Sequence, residues 1–168
     1  MINRIKKLIK TGEKINVEFK SAQKGIPKSI YETVCSFLNT KGGEIILGVD
    51  DNKEIIGIPP EKIQKYKKEF TNELNNPEKI FPTVYLNIEE YTVNKKKILY
   101  INVPEDSQVY KCAGKFFLRN YEGDYNITKN QNLIAGLFIR KSSTYTENKV
   151  YPYMTMDDLN QDIINKVR

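Results

Sequence analysis

The chain holds 168 residues, one domain's worth at the usual ~100–200 residues, with a net charge of +6 from 27 Lys and Arg against 21 Asp and Glu. It has no histidine, and its two cysteines, Cys35 and Cys112, stand outside any C-x-x-C pair. That excludes Ser-His-Asp and Cys-His catalysis, His-ligated zinc and a disulfide framework, leaving acid–base work to carboxylates, lysine, tyrosine or a metal-bound water.

Residues 2–10 place Ile2, Ile5, Leu8 and Ile9 at helical spacing with lysines opposite, and Gly12 ends that helix. Residues 15–20 alternate: Ile15, Val17 and Phe19 face one way, Asn16, Glu18 and Lys20 the other, as in a half-buried strand. Ser29-x-x-Glu32 has the form of a capping box for a helix to about Thr40, with Ile30, Val34, Phe37 and Leu38 inward and Gly42-Gly43 as its stop. The apolar run 44–49 predicts a central strand covered on both faces. Asp50 to Lys53 is turn chemistry leading into a short strand, Glu54 to Gly57, and so a hairpin. Pro59-Pro60 opens a helix with Ile63, Tyr66, Phe70 and Leu74 on one stripe. Strands at 83–91 and 97–103 follow, joined by a tip at residues 94–97. A small hairpin then turns at Ala113-Gly114 into Phe116 to Arg119, and a loop holds Gly123-Asp124. Thr128-x-x-Gln131 caps a helix carrying Leu133, Ile134, Leu137 and Phe138.

Helices interleaved with antiparallel hairpins predict an α+β domain: a mixed, largely antiparallel sheet flanked by helices. The expected core is 1–141, with a linker at 142–153 and the start of a further helix at 154–168. That last helix still has an apolar face at Arg168, which reads as a piece of a longer protein. If it packed on a second copy, the product would be a homodimer with a longer positive track. No run approaches the ~20 apolar residues of a membrane span, and Met1 to Lys7 has no apolar signal core, so the expectation is a cytoplasmic protein with no membrane partner.

The positive balance favours phosphate-rich partners. Lysines outnumber arginines 23 to 4, however, so part of the charge reads as scattered, solvated lysine. Ala113-Gly114-Lys115-Phe116 lacks the upstream glycine and the Ser/Thr of a phosphate loop, so nucleotide binding finds no support.

Four motifs occur in order: Glu13-x-x-x-x-Glu18-Phe19-Lys20, Ser36-Phe37-Leu38-Asn39-Thr40-Lys41-Gly42-Gly43, Gly48-Val49-Asp50-Asp51, and Phe117-Leu118-Arg119 after Val109-Tyr110-Lys111. Together they resemble the Schlafen AlbA-like domain, the second AlbA family, over roughly residues 8–125. The resemblance implies a nucleic-acid-binding domain, for DNA or RNA, at the front of a bacterial transcriptional regulator. It also implies an alternative. Ribonuclease members of the wider group use three carboxylates, which by motif fall on Glu13, Glu18 and Asp51. These would hold Mg²⁺ or Mn²⁺ for phosphodiester cleavage, with Lys20 stabilising developing charge. Against that stand plain structural roles, a same-face charge pair for Glu18 and Lys20 and turn chemistry for Asp51. A third alternative is a non-catalytic interaction or dimerisation domain. Phosphate contacts are expected from Lys20 and Lys41, from Lys95, Lys96 and Lys97 at one hairpin tip, and from Lys111, Lys115 and Arg119 around another.

Overall fold

The computed structural model describes residues 1–147. Its centre is a four-stranded sheet in the order β1-β2-β5-β4: β1 Val17–Lys20, β2 Gly43–Leu47, β4 Ile88–Val93 and β5 Lys96–Val103. β1 runs parallel to β2, and the other pairings are antiparallel, with Glu18 opposite Ile45 and Ile45 opposite Ile101. The fold is α+β.

Period-two alternation divides the strand side chains between two cores. Ile45, Leu47, Leu99, Ile101 and Val103 pack under α2 (Ile30–Asn39) and α3 (Pro60–Leu74), which contribute Val34, Phe37, Leu38, Ile63, Tyr66, Phe70 and Leu74. On the other face Val17, Phe19, Ile46, Val49, Val93, Ile98 and Tyr100 meet Ile5 and Ile9 of α1 (Ile2–Thr11). The continuous apolar run of β2 is therefore central and covered twice, as its composition predicts. Each such side chain contributes about 1.5–3 kcal/mol on full burial. Gly43 allows the closest approach: a Cβ there would lie 2.5 Å from the Phe37 ring.

Two small sheets sit beside the main one. β3 (Ile80–Phe81) pairs with β6 (Lys111–Cys112), and β7 (Phe117–Asn120) pairs with β8 (Gly123–Asn126). α4 (Gln131–Glu147) closes the described chain. Among the described residues no helix is long and apolar enough to cross a membrane.

Several local expectations are corrected. The first strand starts at Val17 rather than residue 15 and is buried on both faces, Glu18 included. Ser29 has helical angles and makes no side-chain cap bond; its carbonyl accepts the Thr33 N–H at 3.1 Å. The 50–57 hairpin shrinks to one bridge, Val49 to Ile55, because Asp50 spends its own carboxylate and carbonyl on the turn. The strands read at 83–91 and 97–103 run 88–93 and 96–103, so Lys96 and Lys97 belong to β5 and the tip is Asn94-Lys95, both at positive φ. The Ala113-Gly114 hairpin is likewise one bridge, Cys112 to Lys115, while the presumed Gly123-Asp124 loop is strand β8. Thr128 accepts the Phe116 N–H, and Asn130 instead caps α4 through the Leu133 N–H at 3.1 Å.

α4 also passes the expected boundary at 141 and remains helical to Glu147. Lys141 is buried and donates to the carbonyls of Leu38 at 2.9 Å and Asp106 at 2.6 Å and to Glu105 at 3.3 Å. It thus adds a donor to the Leu38 carbonyl at the end of α2, which among the described residues otherwise accepts only the Asp106 N–H at 3.4 Å. Residues 148–168, including the rest of the expected linker and the terminal helix of the homodimer expectation, lie outside the described residues.

Candidate nucleic-acid interface

The first two motifs and the Phe117-Leu118-Arg119 segment meet around α2 and β7, held by polar side chains, while Gly48 of the third joins them only through its N–H to the Lys20 carbonyl at 2.7 Å. Asn39 is fully buried. Its amide donates to the carbonyls of Tyr110 at 2.9 Å and Phe117 at 3.0 Å and accepts the Tyr110 N–H at 2.7 Å. Thr40 Oγ1 accepts the Arg119 N–H at 3.1 Å. The Asn-Thr of the second motif is thus the clasp for the segment after Val109. A buried amide left without these partners would cost about 1–3 kcal/mol, which explains the residue type.

Arg119 lies at the centre, its side chain 6% exposed. The guanidinium donates to Glu18 at 2.6 Å, to Asp124 at 2.9 Å and to the Ile15 carbonyl at 3.0 Å, with Cζ 5.1 Å from the Phe37 ring centroid. Burial works against its charge, but hydrogen bonding and attraction from Glu18, then Asp124, outweigh this and raise its pKa. Asp124 in turn accepts from Thr33 at 2.6 Å and from Ser36. Glu18 shares its other oxygen with Lys20. Glu13 accepts the Phe19 N–H at 2.7 Å, occupying a backbone donor of the edge strand β1.

Glu13, Glu18, Arg119 and Asp124 line a cleft of about 500 Å³ with Tyr121 and Glu122 at its rim. The structure therefore brings Glu13 and Glu18 to one cleft but leaves Asp51 out of it. Asp51 is exposed in the 50–53 turn. Among the described residues no group of three His, Cys, Asp or Glu side chains is placed to hold a metal ion. The residues present do not fit Mg²⁺ or Mn²⁺ as they stand, since both oxygens of Glu18 already face cations and Glu13 is engaged by backbone. Nor is a thiol nucleophile available. Burial pushes the Cys112 thiol up to about 11, and Cys35 is fully buried with its pKa also raised.

The expected phosphate contacts divide in the same way. Arg119 is an internal ion-pair hub, and a residue so enclosed cannot reach a phosphate backbone. Lys20 is tied to Glu18, and Lys97 is paired with Glu90. Lys96 Nζ donates to the Ile55 carbonyl at 2.7 Å, and Lys111 sits 4.8 Å from the centroid of the Phe116 ring. Lys41, Lys95 and Lys115 are exposed and have no ion pair among the described residues.

A denser basic surface lies on α1, which residue-by-residue motif reading passed over. Lys6, Lys7 and Lys10 are exposed, and α1 contains no acidic residue. Lys53 joins them: Gly12 has φ +91°, and a Cβ on it would stand 2.6 Å from Lys53 Cε. Lys6, Lys10, Lys53 and Lys96 line a groove of about 540 Å³ that holds one carboxylate, Glu54. Across α1, Arg4, Lys7 and Lys14 line a second groove of about 350 Å³. Four basic residues in a ten-residue amphipathic helix without Asp or Glu was the available signal.

Comparisons with known proteins fall into place on this geometry. A family model described as Schlafen, AlbA_2 matches residues 13–128. No curated protein matches the chain. Among solved structures, it is similar to the N-terminal domain of an ATP-dependent DNA helicase RecG-related protein from Nitrosomonas europaea, with a TM-score of 0.50 and 24% identity over 62% of this chain and 72% of that one. It is also similar to the DIP2311 protein from Corynebacterium diphtheriae, with a TM-score of 0.54 and 16% identity over 74% of this chain. The match covers 26% of that protein, so the chain spans about a quarter of its length. At these identities the likeness speaks for the fold.

Proposed function

The chain belongs to the Schlafen AlbA_2 family, and from that premise we propose that it is a nucleic-acid-binding domain, in the setting of a bacterial transcriptional regulator. One observation carries the reading. Glu13, Glu18 and Asp124 of the cleft are engaged by Arg119, Lys20 and backbone, whereas Lys6, Lys7, Lys10, Lys53 and Lys95 stand exposed on neighbouring elements without an ion pair among the described residues. Such a surface lowers its energy by contacting phosphates and releasing their condensed counterions.

The metal-dependent nuclease alternative asks Glu18 to exchange two cationic partners for a divalent ion, and no contact in the cleft favours the exchange. The interaction-domain alternative does not use the lysine surface.

Titrating the full chain against labelled oligonucleotides at several salt concentrations tests the proposal. Four or so phosphate contacts predict a slope of log K on log salt near −3.5, at about −0.9 per contact, and about a hundredfold loss of affinity from 50 to 200 mM salt. A flat dependence would sink the nucleic-acid reading. Cleavage of the oligonucleotide on adding Mn²⁺, lost on chelation, would instead revive the nuclease.

A further inference from the structure

α1 stands as a ridge between the two basic grooves. Its covered stripe is Ile5 and Ile9 with Leu8 half-buried beside them, which leaves the opposite face free. Asn3, Lys7 and Thr11 are exposed at i, i+4 and i+8 and form one row along the crest, where Lys7 and Thr11 also border the groove of Arg4 and Lys14. Lys6 and Lys10 fall to one flank, toward Lys53, and Arg4 falls to the other, toward Lys14. The Arg4 guanidinium donates to Glu44 at 3.1 Å, yet the side chain remains 62% exposed, so the unpaired charge of that flank comes from Lys7 and Lys14.

We propose that α1 is a reading helix that enters the major groove of B-form duplex DNA, an inference that rests on the nucleic-acid reading above and names its substrate. Charge and dimension both argue for it. A helix with its side chains is about 10–12 Å across, and the B-DNA major groove is about 12 Å wide. Ten residues extend about 15 Å, enough to follow the groove past several base pairs. The groove is bounded by two phosphate strands, and α1 carries a basic flank on each side. Its crest carries side-chain types that address base edges there: asparagine can donate to and accept from adenine, lysine donates to guanine, and Thr11, whose hydroxyl donates to the Lys7 carbonyl at 2.8 Å, can still accept or meet a thymine methyl. A-form RNA does not fit this surface, because its major groove is deep and too narrow for a helix. A single strand offers no second phosphate row for the second flank. α1 itself precedes residues 13–128, so the helix lies outside the part of the chain that the family match describes, while Lys14, Lys53 and Lys96 beside it lie within that part.

The test uses the full chain and three duplexes of one mixed sequence at fixed moderate salt: DNA, RNA, and DNA whose cytosines carry glucosylated hydroxymethyl groups that fill the major groove. Binding to plain DNA is expected to be at least about tenfold tighter than to either of the others. An Asn3→Ala/Lys7→Gln variant, altered only at exposed positions, should keep the wild-type melting temperature and lose about tenfold in DNA affinity. Equal affinity for DNA and RNA duplexes, or indifference to the glucosyl groups, would overturn the groove assignment while leaving nucleic-acid binding intact. Wild-type affinity in the double variant would do the same. Failure to bind all three would remove the underlying reading as well.

Discussion

Arg119→Leu is expected to destabilise the domain by about 3–5 kcal/mol, the range for removing one partner of a buried ion pair. The guanidinium is enclosed between Glu18 and Asp124, so its loss leaves Asp124 without a counter-charge and Glu18 with Lys20 alone. The damage spreads because Asp124 also receives Thr33 and Ser36 of α2, and Glu18 lies on β1. One side chain therefore ties the β7–β8 hairpin to the sheet and to the central helix. Arg119→Lys should recover little, because the three donors of an ammonium radiate from one nitrogen and cannot span Glu18, Asp124 and the Ile15 carbonyl as three guanidinium nitrogens do. Adding Glu18→Gln and Asp124→Asn to Arg119→Leu should restore part of the loss by removing the uncompensated charge. Urea unfolding measures all three variants. A loss below about 1 kcal/mol for Arg119→Leu would show that the cleft is open to water and the ion pairs are ordinary surface contacts.

The second large effect concerns binding. Lys6→Gln/Lys10→Gln/Lys53→Gln should cut nucleic-acid affinity about a hundredfold at moderate salt and make the salt slope shallower by up to about 2.7, at about 0.9 per phosphate contact. All three are exposed and make no ion pair with a described residue, so the melting temperature should hold. A control pair, Lys65→Gln/Lys68→Gln on α3 against Lys6→Gln/Lys10→Gln on α1, removes two charges each; the α3 helix also carries Glu61, Glu69 and Glu73, and its variant should change binding little. If the α3 variant weakens binding as much as the α1 variant, the effect is one of net charge rather than of a surface.

Where a pattern answered to one strong local force, it was legible in the sequence. The β2 run EIIL could bury both faces only in the middle of a sheet, and the Ile63, Tyr66, Phe70, Leu74 stripe could only be one face of a helix. The motif order was specific enough to indicate the family. What stayed hidden were decisions made between distant residues. Glu18 and Lys20 look like a surface pair until Arg119, a hundred residues on, covers Glu18 and turns a half-buried strand into a buried one. Gly123-Asp124 looks like a loop because nothing local says that Asp124 will be needed opposite Arg119. Ser29 and Thr128 both had cap chemistry, but each found a different role in three dimensions. The α1 lysines were visible as the polar face of a helix; only the fold brings Lys53 beside them.

Lysine footprinting of the full chain with and without duplex DNA tests the central claim most directly, because an amine buried against phosphate reacts more slowly with an acylating reagent. The account predicts protection at Lys6, Lys7, Lys10 and Lys53, weaker protection at Lys95, and none at Lys65, Lys68 or Lys115. Protection confined to Lys111 and Lys115, or spread evenly over every exposed lysine, would contradict it.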